Sequence, residues 1–329
     1  MKSIFNDCRI FISGATGSWG QTLVSQILAK YNVREIVCYS RGEIRQVDMR
    51  RKFNNPKLKF VIGDVRDTDS VIAATRGVDY VFHLAALKHV PICEDQPLEA
   101  IKTNIDGTKN IITAAIQNRV KKVIDVSSDK AVEAVNLYGM TKAVGEKLII
   151  NANTLSDYTR FVCIRGGNVM GSSGSVIPFF INQIGAGGPI TFTDRRMTRF
   201  FLTLEDAISL LFKASENSIG GETFVMNMPA CYITELAEVL MDKWGRVETL
   251  DTGIRPGEKL DEILISKHEA PLAYEYDQNY WVILPPGGSG ALYDKYSNLK
   301  PFTAPEFTSK TRLLDRAGIQ AMLQKGGFL

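Results

Sequence analysis

The sequence predicts an α/β protein, a doubly wound parallel-sheet domain joined to a smaller mixed α/β domain. Three observations carry that class. Gly14, Gly17 and Gly20 separate a short apolar run from an amphipathic segment near the amino terminus. Short apolar runs then alternate with helical patterns as far as Arg165. Beyond Arg165 the alternation stops, and segments rich in glycine, serine and arginine take over. Repeated βα units at this spacing fold as a parallel sheet covered on both faces.

Taken in order, residues 8–13 (CRIFIS) read as a buried strand and residues 21–31 as a helix, with GATGSWG between them. Glycines at a strand-to-helix turn let backbone approach a pyrophosphate, and the helix amino terminus offers free N–H groups and a positive dipole end. The loop residues Gly14, Thr16, Gly17, Ser18, Trp19 and Gly20 are therefore cofactor-binding candidates, although G-x-x-G-x-x-G differs from the G-x-G-x-x-G of simple dehydrogenases. Residues 34–39 form a second strand ending at Ser40 and Arg41. An NAD-preferring domain carries an acid here for the ribose 2′-hydroxyl, whereas an arginine accommodates a 2′-phosphate. Ser40 and Arg41 thus favour NADP; the alternative is an ordinary surface arginine.

A third strand at residues 58–62 leads to Asp64 and Val65. Asp64 can cap a helix beginning near Thr68 or accept a bond from adenine, and both readings stay open. A fourth strand at 78–83 is followed by Ala85 and Ala86, small enough for close packing on a cofactor, and then by Lys88, which is either a substrate contact or a loop charge. His83 reads as a packed strand-end residue. Residues 97–118 form a long helical pattern, 120–126 a fifth strand, 136–156 a helix and 159–165 a sixth strand.

The fifth strand delivers Ser128, Asp129 and Lys130, and Tyr138 and Lys142 follow at helical i, i+4 spacing. An ammonium near a phenol stabilises the phenolate and lowers its pKa. The pair is then suited to take a proton from an alcohol as hydride departs. The plain alternative is a buried tyrosine and a solvated lysine.

In the second half, Asn168 sits in a glycine- and serine-rich loop running through Ser172 and Ser173, ahead of an apolar segment at 176–184. Asn168 reads as a diphosphate donor or a turn residue. Arg195, Arg196 and Arg199 are spaced as an anion clamp or a solvated loop, and Arg255 and Glu258 flank a Pro-Gly turn. Thr203 and Asp206 have the capping-box spacing. Residues 274–284 read as strand, 285–290 as a loop and 308–323 as a terminal helix.

Composition narrows the remaining classes. A net charge of +3 is too small to argue for nucleic acid or an anionic membrane. The amino terminus lacks a signal-peptide pattern and no apolar run reaches membrane-spanning length. Five scattered cysteines and three histidines show no metal-ligand spacing, so free thiols, no metal site and a cytoplasmic protein are expected.

Together these segments resemble the extended short-chain dehydrogenase/reductase superfamily, whose nucleotide domain is of the Rossmann type. Within it the chain is similar to the C5-inverting UDP-N-acetylglucosamine 4,6-dehydratases that open pseudaminic acid biosynthesis. The resemblance is carried by Tyr39-Ser40-Arg41, AALKHVP at 85–91, KTNIDGT at 102–108, SSDKA at 127–131, NLYGMTK at 136–142, MTRFFLT at 197–203 and GIRPGEKLDE at 253–262. Lys130 discriminates: dehydratases of dTDP-glucose generally have Asp-Glu where this chain has Asp129-Lys130, and 4-epimerases lack the acid/base pair. Ser13 and Ser128 replace the usual threonines and keep the hydroxyls. The residues Val132-Glu133-Ala134-Val135, between Lys130 and the tyrosine, also depart from the family pattern and keep its spacing.

The resemblance implies an NADP-binding Rossmann domain at 1–166 with about 199–225, and a UDP-sugar-binding domain at 167–198 and 226–329. It implies that Tyr138, with Lys142, oxidises C4, that a neutral Lys130 removes the C5 proton, and that Asp129 protonates the departing C6 hydroxyl. Ser128 would steady the C4 oxygen. Lys88, Asn168, Val176, Arg199, Arg255 and Glu258 would bind UDP-N-acetylglucosamine, and the protein would be a homo-oligomer. The rivals are a 4-epimerase or retaining dehydratase on the same fold, and a non-catalytic NADP-binding sensor.

Overall fold

The computed structural model describes residues 4–172 and 174–329; Ser173 of the glycine- and serine-rich loop lies outside the described residues. The first half runs β1 (Arg9–Ser13), α1 (Ser18–Lys30), β2 (Glu35–Ser40), α2 (Glu43–Phe53), β3 (Leu58–Ile62), α3 (Thr68–Ala74) and β4 (Tyr80–His83). It continues through α4 (Val90–Asp95), α5 (Pro97–Ile101), α6 (Gly107–Gln117), β5 (Lys122–Ser128), α7 (Leu137–Asn151) and β6 (Arg160–Gly166). The six strands pair in parallel in the order β3-β2-β1-β4-β5-β6. That order reverses between β1 and β4, and ligands of open α/β sheets bind outside the strand carboxyl ends at such a switch point.

Strand alternation decides the two faces. Ile10 and Ile12 of β1 join Leu23, Val24 and Ile27 of α1 in one core, while Phe11 joins Val81, Val123 and Phe161 with Ile111 and Ala115 of α6 in the other. Gly14 follows β1 at φ +69, and a Cβ there would lie 3.0 Å from the Ala85 nitrogen, so a side chain would separate the two loops that frame the switch point.

The second half contributes β7 (Asn168–Val169), α8 (Val176–Gly185), β8 (Ile190–Phe192), β9 (Thr198–Leu202), α9 (Leu204–Asn217), β10 (Thr223–Met226), β11 (Ala230–Tyr232), α10 (Ile233–Trp244), β12 (Thr249–Asp251) and β13 (Ile263–Ile265). Then come β14 (Ala273–Asp277), β15 (Tyr280–Ile283), α11 (Gly290–Tyr296), β16 (Lys300–Pro301), β17 (Phe307–Thr308) and α12 (Arg316–Lys325). Helices α8, α10 and α12 pack around Phe180, Phe192, Leu236, Leu240 and Leu323, beside a small β11-β9-β7 sheet. The capping box at Thr203 and Asp206 opens α9 as expected.

Several expectations are corrected. Residues 273–301, assigned to the second domain, extend the large sheet: β10 adds in parallel to β6, and β15, β14 and β16 follow antiparallel. The single strand read at 274–284 is a hairpin, because Gln278 and Asn279 turn the chain between β14 and β15. The terminal helix begins only at Arg316, capped by Asp315, since residues 307–308 pair with β13. The helical pattern at 97–118 contains a π turn, Lys102–Asp106. Within it Asn104 bonds both the Leu87 N–H and carbonyl and donates to Thr141, pinning the loop after β4 against α7. Wide turns of this kind recur where a helix must present a side chain to a functional site.

His83 is packed, as read. Its ring bonds Ser13 Oγ at 2.8 Å and faces Thr108, and Ser13 Oγ in turn accepts from the Leu84 and Ala85 amides. Burial pushes the imidazole down from 6.5 to about 4, with Asp125 opposing and Lys142 assisting. The folded state therefore takes up this proton less readily than the unfolded chain. Its stability contribution is complete above pH 6.5 and is lost as pH falls toward 4, by about 3 kcal/mol. We expect thermal unfolding across that range to show the gap between the parent and a His83→Asn variant narrowing as the pH falls; a constant gap refutes the assignment.

Candidate active site

Apart from Arg195 and Arg196, every candidate site residue read from the sequence lines one cleft of about 1300 Å³ at the carboxyl ends of the strands. The turn after β1 supplies one wall. Helix α1 begins at Ser18 with Gly17 as its N-cap and no side-chain cap, leaving its first-turn N–H groups to a ligand, and Thr16, Trp19 and Gly20 line the cleft beside them. An uncapped helix terminus beside a turn in which Gly14 has no room for a Cβ fits a dinucleotide pyrophosphate. Ala85, Ala86 and Val65 line the same cleft.

At the β2 end, the Ser40 hydroxyl accepts from Gln46, and Arg41 projects with its side chain 54% exposed, 3.9 Å from Asp64. Asp64 does not cap α3. That role belongs to Asp67, whose carboxylate accepts from the Ser70 N–H, while Asp64 is bound by Arg66. The residue at the cap is the one whose side chain can reach back to the first turn, and Asp64 lies too early in the chain. Arg45, which sequence reading missed, lines the cleft with Arg41 from the first turn of α2.

The centre of the cleft is built where β5 ends. Strand β5 runs two residues further than its apolar pattern, so Ser128 is its last residue and Asp129 opens a 3₁₀ turn. Ser128 Oγ donates to Asp129 Oδ1 at 2.9 Å. Lys130 Nζ lies 3.1 Å from the same oxygen, 3.3 Å from Asn168 Oδ1 and 3.4 Å from Glu262 Oε1. Helix α7 comes close to this turn at Gly139, where a Cβ would lie 2.1 Å from the Lys130 carbonyl oxygen. That approach sets Tyr138 beside Ser128.

The electrostatics correct two expectations. Burial pushes the Tyr138 phenol up, and the Lys142 charge and the Ser128 hydroxyl only partly offset it. Lys142 is 3% exposed and shares its charge with Asp125, whose carboxylate is 3.5 Å away and wholly buried. Lys130 is also not neutral: burial works against the ammonium, but Asp129 and then Glu262 outweigh it and raise its pKa. Asp129 is raised, by burial first and by Glu262. Glu262 is held low, because Lys130, Arg199 and Lys259 together overcome burial.

The arginine cluster divides. Arg195 pairs with Asp251 and Arg196 with Asp194, each drawn to the nearest carboxylate on its own rim, and neither lines the cleft. Arg199 does line it, while donating to the carbonyls of Thr198, Lys259 and Leu260. Arg255 and Glu258 lie on the loop that closes the far side, tied to α7 by the Asn136 amide donating to the Gly257 carbonyl. Val176 and Lys88 complete the lining, and burial pulls the Lys88 ammonium down. Sequence reading missed Glu262 and Lys259, whose only signal was their place in the 253–262 segment. Among the described residues no cluster of ligating side chains could hold a metal. No described helix is long and apolar enough to cross a membrane.

Comparison with known proteins places this architecture. The chain is 46% identical to a Campylobacter jejuni protein named UDP-N-acetylglucosamine 4,6-dehydratase (inverting), over 86% of this chain and 84% of that one. It is 45% identical to a Rickettsia rickettsii protein named UDP-glucose 4-epimerase, over 89% and 87%. The solved structure of Pen from Bacillus thuringiensis superimposes with a TM-score of 0.92 at 36% identity, covering 99% of this chain and all of that one. A family model described as polysaccharide biosynthesis protein matches residues 10–284, and with relatives of this identity across most of its length the chain belongs to that family.

Proposed function

We propose that the chain is an NADP-dependent UDP-N-acetylglucosamine 4,6-dehydratase that inverts C5. The observation carrying this reading is the Asp129–Lys130 pair, an acid and an amine 3.1 Å apart beside Tyr138 in one cleft. Epimerisation at C4 needs only the redox half of such a site. Elimination of water needs a base for C5–H and an acid for the C6 oxygen, and this pair offers both.

A nicotinamide held by the turn after β1 and the Ala85–Ala86 segment would supply a hydride sink for C4 and a hydride source for C6. Tyr138 takes the C4 hydroxyl proton, with Lys142 favouring the phenolate and Ser128 bonded to it. The 4-keto group that results acidifies the C5 hydrogen. Lys130 then acts from the neutral form of its pair. Passing one proton to Asp129 frees the amine and loads the acid in a single move, without exchange with solvent. Lys130 removes the C5 proton and Asp129 protonates the leaving C6 hydroxyl as water. A proton delivered to C5 from solvent on the opposite face, with the hydride that the cofactor would return to C6, completes a 4-keto-6-deoxy product of inverted configuration.

The arginines Arg41 and Arg45 at the β2 end favour the 2′-phosphate of NADP, because no acid stands at the strand end to bond a ribose hydroxyl. In this reading Arg199, Arg255 and Asn168 bind the diphosphate and Glu258 the uridine ribose, which their common place in the cleft lining supports. By resemblance alone the reading extends to a cytoplasmic homo-oligomer serving pseudaminic acid synthesis. The epimerase name of the Rickettsia relatives supports a second reading, C4 epimerisation of a UDP-hexose in the same cleft.

Turnover of UDP-N-acetylglucosamine in D₂O separates the two: dehydration gives a product one water lighter with deuterium at C5, whereas an unchanged sugar mass with inverted C4 would sink the proposal. We expect Asp129→Asn and Lys130→Ala to lose elimination by about 10²–10⁴-fold while C4 oxidation, read from reduced nicotinamide absorbance, survives. Tyr138→Phe loses both steps. Arg41→Ala weakens NADP binding by about tenfold or more, the worth of a charge-assisted bond, and leaves NAD binding unchanged; equal losses for both cofactors in calorimetric titration would remove the NADP assignment.

A further inference from the structure

Glu262 has no part in the chemistry described so far, yet it is the most constrained carboxylate of the cleft outside the Asp129–Lys130 pair. It is 2% exposed and stands just before β13. Oε1 lies 3.4 Å from Lys130 Nζ and 3.7 Å from Arg199 Nε, while Oε2 is buried without a hydrogen-bond partner. A carboxylate is kept in such surroundings only when neighbouring cations repay its desolvation. Here they are Lys130, Arg199 and Lys259, from three different parts of the chain.

Resting on the dehydratase reading, we propose that Glu262 is a positioning residue of the elimination step: it holds Lys130 Nζ in the cleft and sets how one proton is shared between Lys130 and Asp129. Its Oε1 stands 3.4 Å from the amine, so its charge favours the ammonium, and the same charge strengthens the hold of Asp129 on its proton. The other groups facing Lys130 are Asp129 on its own turn, Tyr138 on α7, Arg199 on β9, Lys88 after β4 and Lys259 on the closing loop. Arg199, Lys88 and Lys259 are cationic and act against the ammonium. Asp129 and Glu262 are the carboxylates that sustain it.

Loss of the Glu262 charge lowers the affinity of both Lys130 and Asp129 for protons, so both limbs of the elimination pH profile move in one direction. In Glu262→Gln we expect both limbs displaced toward acid by about one unit or more, with C4 oxidation unchanged in its own profile. Lys130 should also be acylated about tenfold faster than in the parent at one neutral pH, read by peptide mass spectrometry. Glu262→Asp keeps the charge but draws it back by a methylene; its limbs stay in place and its elimination rate falls. Superimposable profiles and labelling rates in Glu262→Gln and the parent overturn the proposal, as does equal loss of oxidation and elimination. If the glutamine variant does not fold, an aspartate variant with undiminished elimination overturns it. The labelling needs no turnover, so a parent that fails to dehydrate UDP-N-acetylglucosamine removes the dehydratase reading while the effect of Glu262 on Lys130 is still measured.

Discussion

The structure depends on keeping two opposite charges, Asp129 and Lys130, side by side and largely out of water. A buried ion pair is costly unless its remaining donors and acceptors are satisfied. Here the pair draws a partner from each part of the chain around it. Ser128 comes from the end of β5, Asn168 from β7 and Glu262 from the segment before β13. Gly139 allows α7 to close on the same turn. Asp129 Oδ2 and Glu262 Oε2 are still buried without a hydrogen-bond partner, so the cations around the pair carry part of its desolvation.

The sheet supplies the rigidity that such a pair requires. Strands β1, β4 and β5 are paired in parallel and buried on both faces, so their carboxyl ends are fixed relative to one another. Ser13, His83 and the π turn at Lys102–Asp106 lock the loop after β4 from three sides. The face built for a dinucleotide and the face carrying the acid and amine thus share one frame. Hydride transfer and proton transfer can then act on adjacent carbons of one sugar without a large movement.

Much of the first half was legible in the sequence because its signals are local. Apolar runs of strand length, glycines at a strand-to-helix turn and the i, i+4 spacing of Tyr138 and Lys142 each concern neighbours in the chain. The second half was less legible. Residues 273–301 look like an appendix, yet they pair into the large sheet, because edge pairing is a matter of register with a distant strand. Likewise Arg195, Arg196 and Arg199 look equivalent in sequence, and only the positions of Asp251, Asp194 and the 259–260 carbonyls separate them.

Residue identity alone determined that an acid, an amine, a hydroxyl and a phenol would stand at the end of β5 and the start of α7, since strand and helix periodicity fix their relative directions. The charge state of that group was settled only by the tertiary structure. Read in isolation, Lys142 should lower the Tyr138 pKa and burial should neutralise Lys130. In the fold, burial holds the phenol up while Asp125 shares the Lys142 charge, and Asp129 with Glu262 sustains the Lys130 ammonium. The reason is physical: a pKa is set by every charge and every layer of excluded water within a few ångströms, and those neighbours come from residues as far apart in the chain as Asp129 and Glu262.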